Sequence, residues 1–208
     1  MGRKDELLEE ITEIEWRMFQ NVANIGGRAA CQEDRATFYI MRQSQGISWS
    51  EPTLQSYLND LKEAEKNCRN LLSEKYARMM KSTSPLEYAK IEHLIPPLDP
   101  EIPLLIDRIL EILLGWEMEV SQKFPYVRGN GRPIYKSEDS LFVTSAETYL
   151  RGELETYSKR TLKLYYENVS EQKSKNINGN ELVLEHMVRQ YGYNSLEEAN
   201  QKLRDRMT

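Results

Sequence analysis

Residues 5–45 read DELLEEITEIEWRMFQNVANIGGRAACQEDRATFYIMRQSQ, and this stretch decides the fold class. Its apolar residues recur at spacings of three and four on both sides of the pair Gly26–Gly27; they are Leu7, Leu8, Ile11, Ile14, Met18, Val22 and Ile25, then Ala30, Phe38 and Met41. This period places the apolar side chains on one face of a helix. Because two glycines inside a helix cost about 2 kcal/mol relative to alanines, we predict a long N-terminal helix that is kinked at the pair.

The same spacing continues along the rest of the chain, and no stretch alternates strictly enough to indicate a strand. The pattern therefore predicts an all-α fold, a helical bundle of long helices. Cap residues and prolines predict the further long helices, over residues 50–79, 102–125 and 145–166.

Two irregular segments organise the predicted bundle. Residues 125–141 form the long one, and loops of this length in compact domains tend to be functional or disordered. Residues 173–180 are polar and rich in turn formers, which is typical of a hinge. We therefore predict a main helical domain over residues 1–174 and a small C-terminal helical pair over residues 180–208.

Composition excludes several classes of protein. The 208 residues carry a net charge of −5 with both signs interspersed, which argues against a nucleic-acid-binding surface. The longest apolar run, Ile102 to Leu114, is interrupted by charges and does not predict a membrane span, and the N-terminus has no apolar leader. Cys31 and Cys68 fit no metal-ligand spacing, so we expect two reduced thiols in a cytoplasmic protein.

The first candidate site follows the glycine pair. On a continuous helix Arg28, Gln32, Arg35, Tyr39 and Arg42 would share one face. Arg28 and Arg42 can offer planar forks to a carboxylate or phosphate, and Gln32 with Gln45 can orient such a ligand. Gly26 and Gly27 would let the ligand approach the backbone closely. The alternative is a solvated face with ordinary ion pairs.

A second polar face lies on the fourth predicted long helix, residues 145–166. Tyr149, Glu153 and Tyr157 recur at intervals of four, so they can line the wall of a pocket, or they can be the polar ends of packed tyrosines. Arg132 lies in a glycine-rich loop that can fold over an anion, and Arg151 completes the predicted ligand-binding set.

Metal and cofactor motifs are missing from the sequence. Neither His93 nor His186 has a glutamate three residues earlier, as a ferritin-like di-metal centre requires. We therefore predict no metal, with a magnesium or manganese site built from carboxylates alone as the open alternative. The chain has no phosphate loop or dinucleotide fingerprint, so the cofactor is unknown.

Three sequence blocks carry a family resemblance. They are Glu15-Trp16 with Phe19, the run from Asn24 to Gln45, and Gly131-Arg132-Pro133-Ile134 with the run from Thr148 to Ser158. Over about residues 7–203 they resemble the bacterial family called domain of unknown function 4125. The resemblance implies no activity. Some proteins of this kind are joined to a domain similar to a nucleotidyltransferase, which implies a helical companion to nucleotide chemistry.

Two functional hypotheses follow. The first is a polar pocket between the Gly26–Gln45 and Tyr149–Tyr157 helices that binds a small anionic or amide-bearing metabolite. Whether the protein is an enzyme stays open; if so, Asp34 or Glu153 would be the general acid or base and Tyr149 or Tyr157 a proton donor.

The second hypothesis is a non-catalytic interaction module whose arginines and tyrosines dock on a nucleotidyltransferase-like partner. The direction of Arg28 and Arg42 distinguishes the two: arginines that converge on a cavity with Glu153 favour the pocket, and outward arginines favour the partner.

Overall fold

The computed structural model describes residues 2–24, 27–129 and 131–207. In this part of the chain all regular structure is helical, which confirms the all-α prediction. The α-helices are α1 (Arg3–Gln20), α2 (Arg35–Ile47), α3 (Glu51–Lys66), α4 (Leu71–Thr83), α5 (Pro85–Ile91), α6 (Ile102–Lys123), α7 (Pro125–Arg128), α8 (Ala146–Leu154), α9 (Lys159–Ser174), α10 (Gly179–Gln190) and α11 (Leu196–Met207). Single 3₁₀ turns occupy Ala30–Gln32, Glu92–Leu94 and Lys136–Glu138.

One large apolar core holds the bundle together. Helix α1 packs against α2, α3 and α4, while α6 packs against α8, α9 and α10; α4 contacts α8, and α3 contacts α9. Most of the buried apolar side chains of α1, α3, α4, α6, α8 and α9 form one cluster. A second cluster joins the end of α6 to α10 and α11, and its members are Val120, Phe124, Val188, Leu196 and Ala199. The division into residues 1–174 and 180–208 stays a prediction.

The N-terminal segment contains two helices where the sequence pattern predicts one kinked helix. Helix α1 ends at Gln20 and α2 begins at Arg35. The buried Gln32 side chain supplies the reason, because its Nε2 donates to the carbonyls of Phe19 and Val22 at 2.8 and 3.1 Å and so closes the end of α1. Gly27 has a φ of +87°, and Gly26 lies outside the described residues.

Two other predicted long helices are also broken. The predicted helix over residues 50–79 is divided into α3 and α4, because Cys68 adopts a φ of 55° and Asn70 caps α4 through the Ser73 N–H. The predicted helix over residues 145–166 is divided into α8 and α9, and Ser158 caps α9 in the same way. In both cases the apolar period continues across the break, so periodicity alone does not reveal it.

Candidate functional site

A buried set of four charged side chains joins α1, α2, α4 and α8, and we call Glu15, Arg42, Lys75 and Glu153 the charge network. Arg42 Nε donates to Glu15 Oε2 at 2.7 Å, and Arg42 Nη2 donates to Glu15 Oε1 and, at 3.0 Å, to Glu153 Oε1. Lys75 Nζ donates to Glu153 Oε2 at 2.6 Å. Glu15 is 0% and Glu153 3% exposed, so the carboxylates lie in the core. The formal charge of the network is zero.

Neutral side chains complete the hydrogen bonding of the two carboxylates. The Tyr57 hydroxyl donates to Glu15 at 2.7 Å, and the Tyr157 hydroxyl donates to Glu153 at 2.8 Å. Gln45 donates to Glu153 at 3.1 Å through Nε2 and accepts from Arg42 Nη1 at 2.7 Å through Oε1. Every carboxylate oxygen therefore has at least one donor, as burial of these charges requires.

The charges of the network fix its protonation. Burial alone would raise the pKa of Glu153, but the charges of Arg42 and Lys75 outweigh it and hold this pKa well below its ordinary value. Burial alone would lower the pKa of Lys75, but Glu153 raises it above its ordinary value. Burial raises the pKa values of Tyr57 and Tyr157 far above 10.0, and the carboxylates add to that shift. At neutral pH Glu153 is ionised, Lys75 is protonated and both tyrosines are neutral.

A cavity of about 20 Å³ lies beside the network, between α2, α4 and α8. Arg42, Lys75 and Glu153 line it together with aromatic and apolar residues. Its volume is enough for about one water molecule. Lys75 Nζ lies 3.6 Å from the centre of the Tyr149 ring, and the guanidinium carbon of the exposed Arg132 lies 4.7 Å from the centre of that ring.

Lys75 supplies the unused hydrogen-bonding capacity in this cavity. An ammonium group has three donors, and among the described residues Lys75 Nζ makes one hydrogen bond, to Glu153. Glu153 Oε1 already accepts from Arg42, Gln45 and Tyr157. The cavity therefore presents donors, and a group with an acceptor oxygen is its chemical complement.

Five of the residues predicted from sequence meet here. Arg42, Gln45, Glu153 and Tyr157 are joined by hydrogen bonds, and Tyr149 lines the cavity. The other predicted cations lie elsewhere: Arg132 stacks on the outside at Tyr149, and Arg151 Nη2 is 2.7 Å from Asp107 Oδ1.

The predicted residues of the loop between α1 and α2 do not join the network. Arg28 is exposed and donates to Glu33 and Gln20. Gln32 is buried, but its side-chain amide is hydrogen-bonded at the end of α1 and in the loop between α1 and α2. Asp34 is an exposed cap of α2 whose Oδ1 accepts from the Thr37 N–H at 3.0 Å. The predicted shared helical face is wrong for Arg28 and Gln32, because both precede α2. Of the glycine pair, Gly27 lies in this loop and Gly26 is not described.

Sequence reasoning missed the roles of Glu15, Lys75 and Tyr57, although a signal was present. Each occupies a position on the apolar stripe of its helix: Glu15 lies between Ile11 and Met18 at spacings of four and three. A charged residue at a core position is rare unless it is paired. The sequence shows such a position, but it does not show which distant residue pairs with it.

Two further features of the described residues concern metal-ligand clusters and apolar spanning helices. Within them, no group of three or more His, Cys, Asp or Glu side chains is arranged to hold a metal ion. None of the described helices is both long enough and apolar enough to cross a membrane.

The chain matches the model of a known protein family. The model of the family described as "Protein of unknown function (DUF4125)" matches residues 5–201, nearly the whole chain, and the chain belongs to that family. No curated protein and no solved structure matches the chain significantly.

Proposed function

We propose that this member of an uncharacterised family binds the end of a small amide-bearing or anionic metabolite in the cavity between α2, α4 and α8. The observation that carries the proposal is the charge network beside that cavity, because Lys75 lines the cavity and makes one hydrogen bond among the described residues. A buried ion pair contributes little to stability compared with apolar residues of the same size. Four buried charges in one helical core are therefore better explained by a ligand than by folding.

Charge balance narrows the ligand class. Because the network is neutral as it stands, a neutral carbonyl oxygen adds no net charge to the core, whereas a carboxylate adds one negative charge that must be compensated. Arg132, on the Tyr149 ring, is the cation that could compensate it. An amide is therefore the preferred end group. The volume of about 20 Å³ holds about one water-sized group, such as the amide oxygen, so the rest of the ligand would lie at the half-buried Tyr76 and Tyr149.

The geometry supports binding more than catalysis. A general acid must hold a proton at working pH, and the lowered pKa of Glu153 leaves its carboxyl ionised; the same lowered pKa makes the carboxylate a weak general base. The raised pKa of Tyr157 and its bond to Glu153 make it a poor proton donor to a substrate. Asp34 is exposed and lies outside the cavity lining.

Thermal unfolding with acetamide, asparagine and glutamine, and with acetate as the anionic counterpart, tests the proposal. A ligand at 100 times its dissociation constant stabilises the native state by about 2.7 kcal/mol. We expect an amide to raise the melting temperature of the wild type and not that of Lys75→Met, which removes the donors. Tyr149→Leu should weaken the response, and Tyr135→Leu, at an exposed tyrosine, should keep it. Responses that survive Lys75→Met, or no response to any of the four compounds, would contradict the proposal, and a response to acetate alone would contradict the preference for an amide.

A second candidate function is docking on a nucleotidyltransferase-like partner. It is favoured by the turn Ser140–Val143, which is closed by two backbone hydrogen bonds and presents Phe142 at 91% exposure. The hypothesis that arginines form the interface does not extend to Arg42, because its side chain is only 12% exposed. If docking is the function, Phe142→Ser should abolish co-elution with such a partner, and the amides should leave the melting temperature unchanged.

A further inference from the structure

Arg78, near the end of α4, is buried but poorly satisfied. Its side chain is 7% exposed, and Nη2 donates to the Pro96 carbonyl at 2.7 Å. Nη1 approaches Glu155 Oε2 only to 3.6 Å, which is too long for a hydrogen bond, and the buried Nε has no partner among the described residues. One of five guanidinium donors is therefore used. The unused Nη1 donors, and not the buried Nε, are the ones available to a bound anion.

Three further cations lie on α4, α8 and the 3₁₀ turn Lys136–Glu138, and their charges act on Glu155, the carboxylate nearest this guanidinium. Lys81 follows Arg78 by three residues on α4, and Arg151 precedes Glu155 by four residues at the end of α8. Lys136 comes from the 3₁₀ turn that is fixed beside α4, because Ser82 Oγ donates to Asp139 Oδ2 at 2.5 Å and the Asp139 N–H donates to the Lys136 carbonyl. The charges of Arg78, Arg151, Lys81 and Lys136 all act on the Glu155 carboxyl.

The surrounding carboxylates do not neutralise this group fully. Arg151 is paired with Asp107 at 2.7 Å, and Asp139 is occupied by Ser82 and Thr148. Among the described residues the ammonium groups of Lys81 and Lys136 have no ion-pair partner, since their side chains make no salt bridge there. Burial raises the pKa of Glu155 despite the cations, and its carboxylate lies 3.6 Å from Arg78 Nη1 without forming a hydrogen bond.

We infer that Arg78, Lys81, Lys136 and Arg151 form a binding site for a phosphate-type oxyanion, which we call the Arg78 site. Cations in the last turn of α4 and α8 would be favourable without a ligand, because they face the negative ends of two helix dipoles. That accounts for Lys81 and Arg151. It does not account for the unused donors of the buried guanidinium, whose planar fork matches the oxygens of a phosphate group.

The Arg78 site shares no residue with the charge network, so it stands or falls independently of the proposed function. A phosphate oxygen would accept from Arg78 Nη1, which Glu155 Oε2 approaches only to 3.6 Å. Lys81 and Lys136 are exposed and would contact the anion from the solvent side. Inorganic phosphate and phenyl phosphate present the same oxygens, and comparing them shows whether the site takes a free ion or a phosphate monoester.

Isothermal titration of the full chain with these two probes, at ionic strength fixed by sodium chloride, tests the inference. We expect one bound anion per chain and about tenfold weaker binding in Lys81→Ala/Lys136→Ala. The matched control is Lys163→Ala/Lys173→Ala, which removes two exposed lysines from α9 and should bind like the wild type. Binding that is absent, or weakened equally in both double variants, would refute a specific site.

Glu155→Gln gives a result in the opposite direction. Removing the competing carboxylate should tighten phosphate binding about threefold or more, because the anion no longer competes with a negative charge beside Arg78. Arg78→Gln should abolish binding; if that variant does not fold, the lysine pair and Glu155→Gln decide. Unchanged or weaker phosphate binding in Glu155→Gln would show that the guanidinium serves only the contact between α4 and α8.

Discussion

Replacing Arg42 by methionine tests how strongly the charge network is coupled. Methionine keeps the unbranched stem but removes every bond to Glu15 and Glu153 from the guanidinium. Glu15 is 0% exposed and would retain only the Tyr57 hydroxyl as a donor. Removing one member of a buried ion pair typically costs about 3–5 kcal/mol, because the other charge is left uncompensated.

That cost is large relative to the free energy of unfolding of a whole domain. Domains are stable by about 5–15 kcal/mol, and at this chain length each 1 kcal/mol shifts the melting temperature by about 2–4 °C. Arg42→Met should therefore lower the melting temperature by about 10 °C. Arg35→Met is the matched control on the same helix: Arg35 is paired with Glu13 at 2.8 Å, but its side chain is 58% exposed, so its loss should cost less than about 1 kcal/mol.

A double-mutant cycle separates coupling from simple loss of packing. Urea unfolding of Arg42→Met, Glu15→Gln and the double variant gives the interaction free energy. We expect the double variant to be at least about 1.5 kcal/mol more stable than the sum of the single effects, because it removes both charges. Effects that add within about 0.5 kcal/mol, or an Arg42→Met cost as small as that of Arg35→Met, would refute the coupled network.

Two further predictions concern acid stability and helix packing. The pKa of Glu153 lies below its ordinary value of 4.5, so its ionised form stabilises the fold above pH 4.5, and this contribution is lost as the pH falls through the folded pKa. The urea midpoint of Glu153→Gln should therefore fall less steeply below pH 4.5 than the urea midpoint of the wild type. Equal slopes for the two proteins would contradict this. Gly152→Ala would place a Cβ 2.7 Å from Met79 Cγ and 3.0 Å from the Lys75 carbonyl, so it should cost about 1–3 kcal/mol. Gly115→Ala, whose Cβ meets nothing within 4 Å, should gain about 1 kcal/mol by helix propensity, and calorimetry that ranks the two variants in the reverse order would refute the packing argument.

The fold class was predictable from the sequence because the apolar spacing of three and four persists along most of the chain. The helix breaks were not predictable from that spacing, since α3 and α4 keep their apolar faces toward the same core. Local signals for two of the breaks were present: Asn70 precedes Ser73, and Ser158 precedes Thr161, each as a cap for the N–H three residues later. At these two positions a helix begins at the cap although the apolar period is continuous.

The candidate site was only half predictable for a different reason. Arg42 and Glu153 were identified as functional candidates from their own neighbourhoods, and the structure joins them across 111 residues of sequence. Lys75 lies 78 residues from Glu153, and nothing in the local pattern of α4 names its partner. Pairing of buried charges is a tertiary property, so sequence spacing can indicate that a charge is buried without indicating what balances it.

The segment from Glu15 to Gln45 divides into two parts with different physical tasks. Gln32 uses both amide donors on the carbonyls of Phe19 and Val22, and its Oε1 accepts from Asn24 and the Ala29 N–H. All four of its hydrogen-bonding positions are filled, so it has none left for a ligand.

Arg42 performs the second task, because its guanidinium ties α2 to α1 and α8. Arg28 is exposed and Arg42 is buried, so the direction of the two arginines does not decide between the pocket and the docking partner for the whole segment. The glycine-containing loop is accounted for by closing the end of α1, and the argument for a ligand depends on Lys75 and the cavity beside it. A ligand that bound through the Gln32 side chain would have to break its hydrogen bonds, whereas Lys75 makes one hydrogen bond among the described residues and has donors to spare.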